Sequence, residues 1–140
     1  MKKEGCGFCE YTEKEVIIYD DELCYAVISK EPINKYHVLV IPKEHYENFV
    51  ELPDELASHI FLVAKKLSAA VRKAASSDAV THISDDDISK SGYNLVGHYK
   101  FHIIPRFNST EDKLQVRWNR EPDPGLEARA KFATEVRGNL

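Results

Sequence analysis

The run of residues 93–106 restricts the fold of this chain more than any other stretch. Apolar and polar side chains alternate along it, and because successive side chains of a strand point to opposite faces, the alternation predicts one core face and one polar face. The apolar members are Tyr99, Phe101 and Ile103. The polar members are His98, Lys100 and His102. Pro105 cannot donate to a sheet ladder, which places this row of nitrogen groups near the end of the strand.

Any antiparallel strand with one side in solvent alternates in this way, so a half-buried strand with no further role is one interpretation. The sequence from His98 to Arg106 supports a second interpretation. It resembles the signature of the histidine triad (HIT) family, which is histidine-x-histidine-x-histidine, two apolar residues and often Pro-Arg. His98 matches the first histidine and His102 the third, whereas Lys100 occupies the middle position. In that family the middle histidine is the nucleophile that takes the nucleotidyl group from a substrate phosphate. The resemblance therefore implies a HIT-like protein that lacks the residue on which the usual mechanism depends.

The composition is that of an ordinary globular protein, with 43% apolar and 30% charged residues. A length of 140 residues fits one domain with its own core, so we expect a single domain over residues 1–140. The net charge of -4 and the lack of a Lys/Arg tract disfavour nucleic-acid binding through phosphates. No apolar run approaches the roughly 20 residues of a membrane span, and the polar start is not a secretory signal. We therefore expect a cytoplasmic protein without a nucleic-acid or membrane partner.

The order of the predicted elements indicates an α+β domain. The predicted strands span residues 16–19, 22–29, 36–41, 80–84 and 93–106. Apolar residues at three- and four-residue steps predict a long helix from Asp54, as its N-cap, to about Ala75. A short extended piece over residues 114–118 and a terminal helix over 126–136 follow. We expect an antiparallel sheet of about five strands with the helix on one face, which is the HIT-like fold that the resemblance implies for residues 1–106, with 107–140 as a tail.

The pair of cysteines in Cys6-Gly-Phe-Cys9 is ambiguous by itself. Such a pair is half of a zinc site, a redox couple or two small residues in a turn, and no strand precedes it as a thioredoxin-like motif would require. The resemblance resolves the choice, because zinc-carrying HIT branches hold the metal with such a pair, a histidine near His45 and the first triad histidine. The implied ligands are Cys6, Cys9, His45 and His98. Two thiolates and two imidazoles close a tetrahedral set around Zn²⁺, so we expect a structural zinc.

The resemblance also assigns a nucleotide or phosphate site. His102 remains as a donor to phosphate, and Asn94 falls where relatives have a glutamine. Ser29 falls where relatives have the acid that binds the ribose hydroxyls, and Asp87 falls near an asparagine close to the phosphate. Tyr36 stands where relatives commonly have glycine, and no role is assigned to its neighbour His37 or to the two other remaining histidines, His59 and His82.

Lys100 is the candidate cation of that site. If the strands over 80–87 and 93–104 are paired, one of three carboxylates could face its amine: Asp85, Asp86 or Asp87. A protonated lysine between carboxylates is a poor nucleophile, which favours a silent site. A lysine with a depressed pKa could still attack phosphorus, as histidine does.

Three functions remain open at this level. The leading one is a binding protein for a nucleotide or other phosphorylated small molecule, whose hydrolase or transferase centre is inactive or weakly active. The enzyme alternative is a nucleoside phosphate or phosphoramidate hydrolase or transferase that uses Lys100 or His102. The third is a scaffold protein with a vestigial pocket. The resemblance further implies a homodimer, with Phe61, Trp118 and the terminal helix as candidate contacts.

Overall fold

The computed structural model of the chain describes residues 1–84, 96–116 and 119–140. Its strands are β1 (Ile17–Asp20), β2 (Cys24–Ile28), β3 (Val38–Pro42), β4 (Ala79–Ser84) and β5 (Phe101–Arg106). Its α-helices are α1 (Asp54–Ala75) and α2 (Leu126–Arg137), with single 3₁₀ turns at Lys14–Val16 and Phe49–Glu51. The five strands form one antiparallel sheet in the order β1-β2-β3-β5-β4. The predicted α+β architecture is confirmed.

One face of the sheet packs against α1. The apolar stripe of the helix meets the side chains of alternate residues in β2, β3 and β5, including Phe101 and Ile103, together with Tyr99 just before β5. The core face that the alternation predicted for the last strand is therefore confirmed. The helix ends where predicted, at Ala75, and the left-handed backbone (φ 50°) of its C-cap Ser76 lets the Ser76 N–H reach back to the last turn. The prediction of Asp54 as N-cap is wrong: Asp54 is the first helical residue and Pro53 precedes it without a side-chain cap.

The opposite face of the sheet is covered by the N-terminal segment, residues 1–16, rather than by a helix. The sheet contributes Tyr25, Val27, Leu39 and Ile41 to this second apolar layer, and the segment contributes Phe8, Tyr11 and Val16. The Tyr25 hydroxyl donates to the Phe8 carbonyl at 2.6 Å. A segment without regular strand structure thus forms the layer that stands above the polar face of β5.

The last strand is shorter than predicted. It begins at Phe101, and residues 96–100 form no strand, while residues 93–95 lie outside the described chain. The backbone before Phe101 finds other partners: the Tyr99 N–H donates to the Tyr46 carbonyl at 2.6 Å, and Lys100 binds the carbonyls of Val96 and His98. Because these groups are already satisfied, the ladder begins only after them.

The extended piece predicted over residues 114–118 is not a strand in its described part, residues 114–116. Side chains take the place of a sheet partner. The Leu114 N–H donates to Asp112 Oδ1 at 3.0 Å, and the Leu114 carbonyl accepts from the Arg106 guanidinium at 3.1 Å. Asn34 joins the same network through its bonds to Pro105 O and Asp112, which ties the loop before β3 to the end of β5.

The terminal helix α2 matches its predicted span to within one residue. None of its residues is buried, and its apolar side chains Leu126, Phe132 and Val136 are more than half exposed. Within the described ranges, neither helix has the length and apolar character needed to cross a bilayer.

Candidate functional site

The fold brings together the four residues predicted to bind a metal. Their ligand atoms, two thiol sulfurs and two imidazole nitrogens, all lie within 4.8 Å of one another. Nδ1 of His98 is 3.4 Å from the sulfur of Cys6 and 3.6 Å from that of Cys9. Nδ1 of His45 is 3.5 Å from the sulfur of Cys9. Residues that are up to 92 positions apart in sequence therefore converge on one point.

These separations fit a tetrahedral site. A sulfur at about 2.3 Å and a nitrogen at about 2.0 to 2.1 Å from one zinc ion are about 3.5 Å apart when the angle between them is tetrahedral. All three sulfur–nitrogen distances agree with that value. The residues present thus fit a Cys₂His₂ metal centre, and the four groups would leave no coordination position for substrate or water.

The orientation of His98 also fits metal binding. Its Nε2–H donates to the carbonyl of Pro42 at 2.9 Å, which leaves the lone pair of Nδ1 directed at the two thiols. Burial lowers the pKa of His98 to about 4, so the ring is neutral near pH 7, as a ligand must be. The Nε2 atom of His45 is buried without a hydrogen-bond partner, and the nearest carboxylate oxygen, from Glu47, is 3.6 Å away.

A cavity of about 670 Å³ opens on the same face of the sheet. That volume is within the range of sites for small molecules and cofactors. Three residues aligned across neighbouring strands form its floor: Val27 of β2, Leu39 of β3 and His102 of β5. The N-terminal segment supplies the walls at Gly7, Phe8, Tyr11, Thr12 and Glu13. The remaining lining residues are Ile28, Ser29, Lys30, Glu31, Ile33, His37, Val96 and Lys100.

The tautomer of His102 follows from its hydrogen bonds. The N–H of Ile33 donates to Nδ1 of His37 at 3.1 Å, so the neutral His37 ring carries its proton on Nε2. That Nε2 lies 2.9 Å from Nδ1 of His102 and donates to it. The proton of His102 is therefore on Nε2. Burial lowers the pKa of His37 to about 4, and burial, with His37 and Lys100 nearby, lowers the pKa of His102 to about 3.

Lys100 lies beside His102 in the wall of the cavity and is only 4% exposed. Its Nζ donates to the carbonyls of Val96 and His98, both at 3.0 Å. The same Nζ lies 5.5 Å from the centroid of the Phe8 ring, within cation–π distance. Two N–H groups of Lys100 thus hold the backbone that leads into β5, and the side-chain amine lies over the ring of Phe8.

The comparisons with known proteins identify the family. The family model of the HIT domain matches residues 11–109, which is most of the chain. The chain belongs to the HIT family. Members of this family bind nucleotides or phosphorylated small molecules, and the family includes nucleotide hydrolases.

The HIT relatives cover nearly the whole chain. The protein named Protein hit from Bacillus subtilis is 35% identical over 123 residues, 86% of this chain and 83% of that protein. The adenosine 5'-monophosphoramidase hnt1 of Schizosaccharomyces pombe is 32% identical over 121 residues, 84% of this chain and 86% of that protein. The crystal structure of a HIT family member from Bacillus subtilis superposes with a TM-score of 0.85 at 28% identity and covers 98% of both chains.

The other residues predicted for the HIT ligand site have mixed outcomes. Ser29 lines the cavity, and its N–H donates to the His37 carbonyl at 2.8 Å. Asn94 and Asp87 lie outside the described residues, and so do Asp85, Asp86 and the predicted contact of a carboxylate with Lys100. Their roles remain predictions.

Two contributors to the HIT site were missed in the sequence. His37, to which no role was assigned, fixes the tautomer of His102. The spacing gave a signal, because a histidine directly before β3 lies beside the strand that carries His102 when β3 and β5 are paired. Phe8, which lies between the two cysteines, was given no role, yet it forms part of the cavity wall. Tyr36 has φ 66°, a conformation that favours glycine, which fits the glycine that the resemblance implies at this position.

A second group of ligand-type side chains joins the β1–β2 turn to α1, and it consists of Asp21, Cys24 and His59. Asp21 Oδ1 accepts from the N–H groups of Leu23 and Cys24, both at 2.8 Å. Its Oδ2 accepts from the Tyr19 hydroxyl at 2.7 Å and from Nε2 of His59 at 2.6 Å. Four donors fill the capacity of this carboxylate, so the group anchors the helix to the hairpin and is not a metal site.

Proposed function

We propose that this HIT protein binds a nucleoside monophosphate or a related phosphorylated small molecule, and that it forms no covalent nucleotidyl intermediate. The cavity has the volume for such a ligand, and its floor passes from an imidazole N–H at His102 to apolar side chains at Leu39 and Val27. A phosphate suits the first position, since an N–H donor and the cation of Lys100 lie together there. A planar base suits the apolar part of the floor.

The environment of Lys100 carries the proposal. At the position where HIT proteins have their nucleophile, this chain has an amine that donates two hydrogen bonds to carbonyls in its own backbone. These bonds engage the side-chain amine with its own backbone and not with a substrate, and a lysine in its ordinary cationic form is a poor nucleophile toward phosphorus. The same charge still attracts a phosphate, so binding is retained while covalent turnover is lost.

Zinc is the metal that the Cys₂His₂ group suits, and we infer a structural role for it. The set is closed, its three measured sulfur–nitrogen distances match a tetrahedron, and it lies beside the cavity without being part of the phosphate end. When bound, zinc would hold the N-terminal segment on the sheet through Cys6 and Cys9, and so would fix Phe8 in the cavity wall.

An alternative function is hydrolysis of a nucleoside phosphoramidate, as the name of the Schizosaccharomyces pombe relative suggests for that protein. In this case Lys100 would attack phosphorus, or water would attack it directly with His102 as the donor. In the lysine route the amine displaces ammonia and forms a lysyl phosphoramidate, which water then hydrolyses to the monophosphate and free lysine. In the water route, water displaces ammonia directly and yields the monophosphate in one step. The third possibility is a scaffold protein whose cavity binds no nucleotide.

The deciding experiment is incubation of the zinc-loaded protein with adenosine phosphoramidate, followed by product analysis and intact-mass measurement. We expect no turnover and no nucleotidyl adduct for the natural chain or for Lys100→Ala, whereas Lys100→His should accumulate an adduct on the new imidazole. Turnover that disappears in Lys100→Ala would establish the lysine route. Turnover that survives in Lys100→Ala and disappears in His102→Ala would establish the water route.

Calorimetry separates a binding protein from a scaffold. We expect heat of binding with AMP or GMP in the natural chain, and weaker binding in Lys100→Ala because one cation near the phosphate is lost. No heat with any nucleotide at millimolar concentration would leave only the scaffold.

We further propose that the protein is a cytoplasmic homodimer of single-domain subunits. An exposed apolar patch on α1 and the preceding 3₁₀ turn, formed by Phe49, Val50, Phe61 and Leu62, suits a self-association surface. Of the predicted dimer contacts, Phe61 belongs to this patch and Trp118 lies outside the described residues.

A further inference from the structure

The cavity has a polar group far from the phosphate end. Leu39 is the direct strand partner of both His102 and Val27, so Val27 lies two strand spacings, about 10 Å, from His102 across the floor. Lys30 comes three residues after Val27, and it pairs with Glu13 of the N-terminal segment. Val27, Lys30 and Glu13 all line the same cavity, so a ligand whose phosphate lies at His102 and whose ring covers Leu39 and Val27 can present an edge to this pair.

The carboxylate of Glu13 is positioned by two donors and still has room to accept more. Its Oε1 accepts from Nζ of Lys30 at 3.3 Å, and its Oε2 accepts from the hydroxyl of Tyr11 at 3.4 Å. All three residues line the cavity, and the Glu13 side chain is 49% exposed. A carboxylate can accept about four hydrogen bonds. Each oxygen of Glu13 thus keeps an acceptor site while its position is restrained from both sides.

Two oxygens side by side recognise two neighbouring N–H donors. The Watson–Crick edge of guanine carries such a pair, the ring N1–H and the 2-amino group. Hypoxanthine keeps only the ring N1–H. Adenine presents one amino donor beside a ring nitrogen whose lone pair would face the carboxylate, which is unfavourable because a carboxylate has no hydrogen to donate.

We propose that Glu13 is a specificity residue that accepts from the N1–H and 2-amino groups of guanine, so that the site prefers guanine nucleotides. This inference rests on the proposed nucleotide binding and adds the choice of base. The phosphate end does not contribute to that choice, since AMP, IMP and GMP are identical in ribose and phosphate.

The test is calorimetric titration of the zinc-loaded full chain with GMP, IMP and AMP. We expect the dissociation constant to rise in that order, with GMP about tenfold tighter than AMP, because one bidentate pair provides discrimination of this size. In Glu13→Gln the amide offers one acceptor and one donor, which complements adenine and not guanine. The variant should therefore reverse the order and bind AMP more tightly than GMP.

Glu31→Gln is the matched control. It removes the same charge from the wall of the same cavity, but Glu31 has no described contact with Tyr11 or Lys30, so the preference for GMP should persist. Melting curves of both variants verify that they fold. Equal affinity of the natural chain for GMP and AMP, or a Glu13→Gln variant that weakens both alike, refutes the assignment while nucleotide binding stands. If none of the three nucleotides binds, the proposed function fails together with it.

Discussion

The Nε2 atom of His37 lies 2.9 Å from the Nδ1 atom of His102, and this hydrogen bond decides which nitrogen of His102 carries a proton. The N–H of Ile33 acts one step earlier, because it occupies Nδ1 of His37 at 3.1 Å. The Ile33 N–H, His37 and His102 thus form a chain of hydrogen bonds, which leaves the Nε2–H of the neutral His102 ring for the cavity. An imidazole held in this way donates to a phosphate oxygen without itself carrying charge, and the positive charge comes from Lys100.

Both histidines should remain neutral throughout the physiological pH range. Burial lowers the pKa of His37 to about 4 and that of His102 to about 3, against an ordinary value near 6.5. We expect ¹⁵N spectra to show protonated Nε2 and bare Nδ1 in both rings from pH 8 to pH 5. Titration of either ring near pH 6.5 would contradict the tautomer assignment.

The same shifts predict how stability depends on pH. A group whose pKa is depressed in the folded state contributes fully above its unfolded pKa, and its contribution falls as acid protonates the unfolded chain first. The free energy of unfolding should therefore decrease below pH 6.5, by up to about 1.4 kcal/mol per pH unit for each histidine, and level off near pH 3 to 4. In His37→Gln, urea unfolding at pH 8, 6 and 5 should give a shallower decrease than in the natural chain.

Zinc removal should weaken the ligand site. Gly7, Phe8 and Tyr11 line the cavity and belong to the segment that Cys6 and Cys9 attach to the sheet, so loss of the metal frees a wall. We expect Cys9→Ser to bind less than one-tenth equivalent of zinc and to bind nucleotide about tenfold more weakly, a loss of 1.4 kcal/mol. Metal analysis by mass spectrometry and calorimetry measure the two effects.

Cys24→Ser is the control for zinc, because Cys24 is buried but belongs to the helix anchor and not to the Cys₂His₂ group. This variant should lose stability yet keep zinc and nucleotide affinity. An unchanged nucleotide affinity in metal-free protein would mean that the segment holds its place without the metal.

The sequence predicted the elements that depend on local periodicity. The spacing of apolar residues located α1, and the alternation around Phe101 identified its core face, because both patterns record burial directly. The terminal helix α2 was placed to within one residue, although none of its residues is buried. The motif His98-x-Lys100-x-His102 located the candidate site through its resemblance to the HIT signature: Lys100 and His102 line the cavity, and His98 belongs to the Cys₂His₂ group.

Contacts between distant segments could not be predicted in this way. The strand predicted over residues 93–106 is longer than the observed one, because Lys100 binds carbonyls of the segment that precedes β5. The alternation of apolar and polar residues does not indicate such side-chain bonds. The bond between His37 and His102 depends on the pairing of β3 with β5, and the cover over the second face depends on Phe8 and Tyr11 folding back across the sheet. Tertiary packing, and not local propensity, decides all three.

The carboxylate of Asp21 should be a main stabiliser of the helix anchor. Burial alone would raise its pKa, but the bonds from Cys24, Tyr19, His59 and Leu23 outweigh burial and lower the pKa well below its usual range. In Asp21→Asn an amide N–H₂ would face donors, so we expect the free energy of unfolding to drop by about 1 to 3 kcal/mol at pH 7. The difference from the natural chain should shrink as pH falls below about 4, where the carboxylate of the unfolded chain takes up its proton.

Asp20→Asn is the matched control for Asp21. Asp20 pairs with Lys43 at 2.7 Å, but its side chain is 56% exposed, and exposed pairs contribute little. Urea unfolding should show a change of about 0.5 kcal/mol or less for this variant. Equal losses for Asp20→Asn and Asp21→Asn would show that net charge, and not the four hydrogen bonds, accounts for the effect.

The apolar patch on α1 should be where two copies meet. Leu62 is 67% exposed, and its neighbour Phe61 packs on Phe101 and Phe49 with ring centroids at 5.0 and 6.2 Å. Because Leu62 contributes little to the core, Leu62→Glu should leave the melting temperature nearly unchanged while it places a charge in the interface. We expect the natural chain to be a dimer by light scattering at about 10 μM, which interfaces of standard size support, and Leu62→Glu to be a monomer. Leu126→Glu on α2 introduces the same charge at an equally exposed leucine and should remain dimeric. If Leu126→Glu alone dissociates the dimer, the interface lies on α2 and not on α1. A monomeric natural chain would refute self-association through either surface.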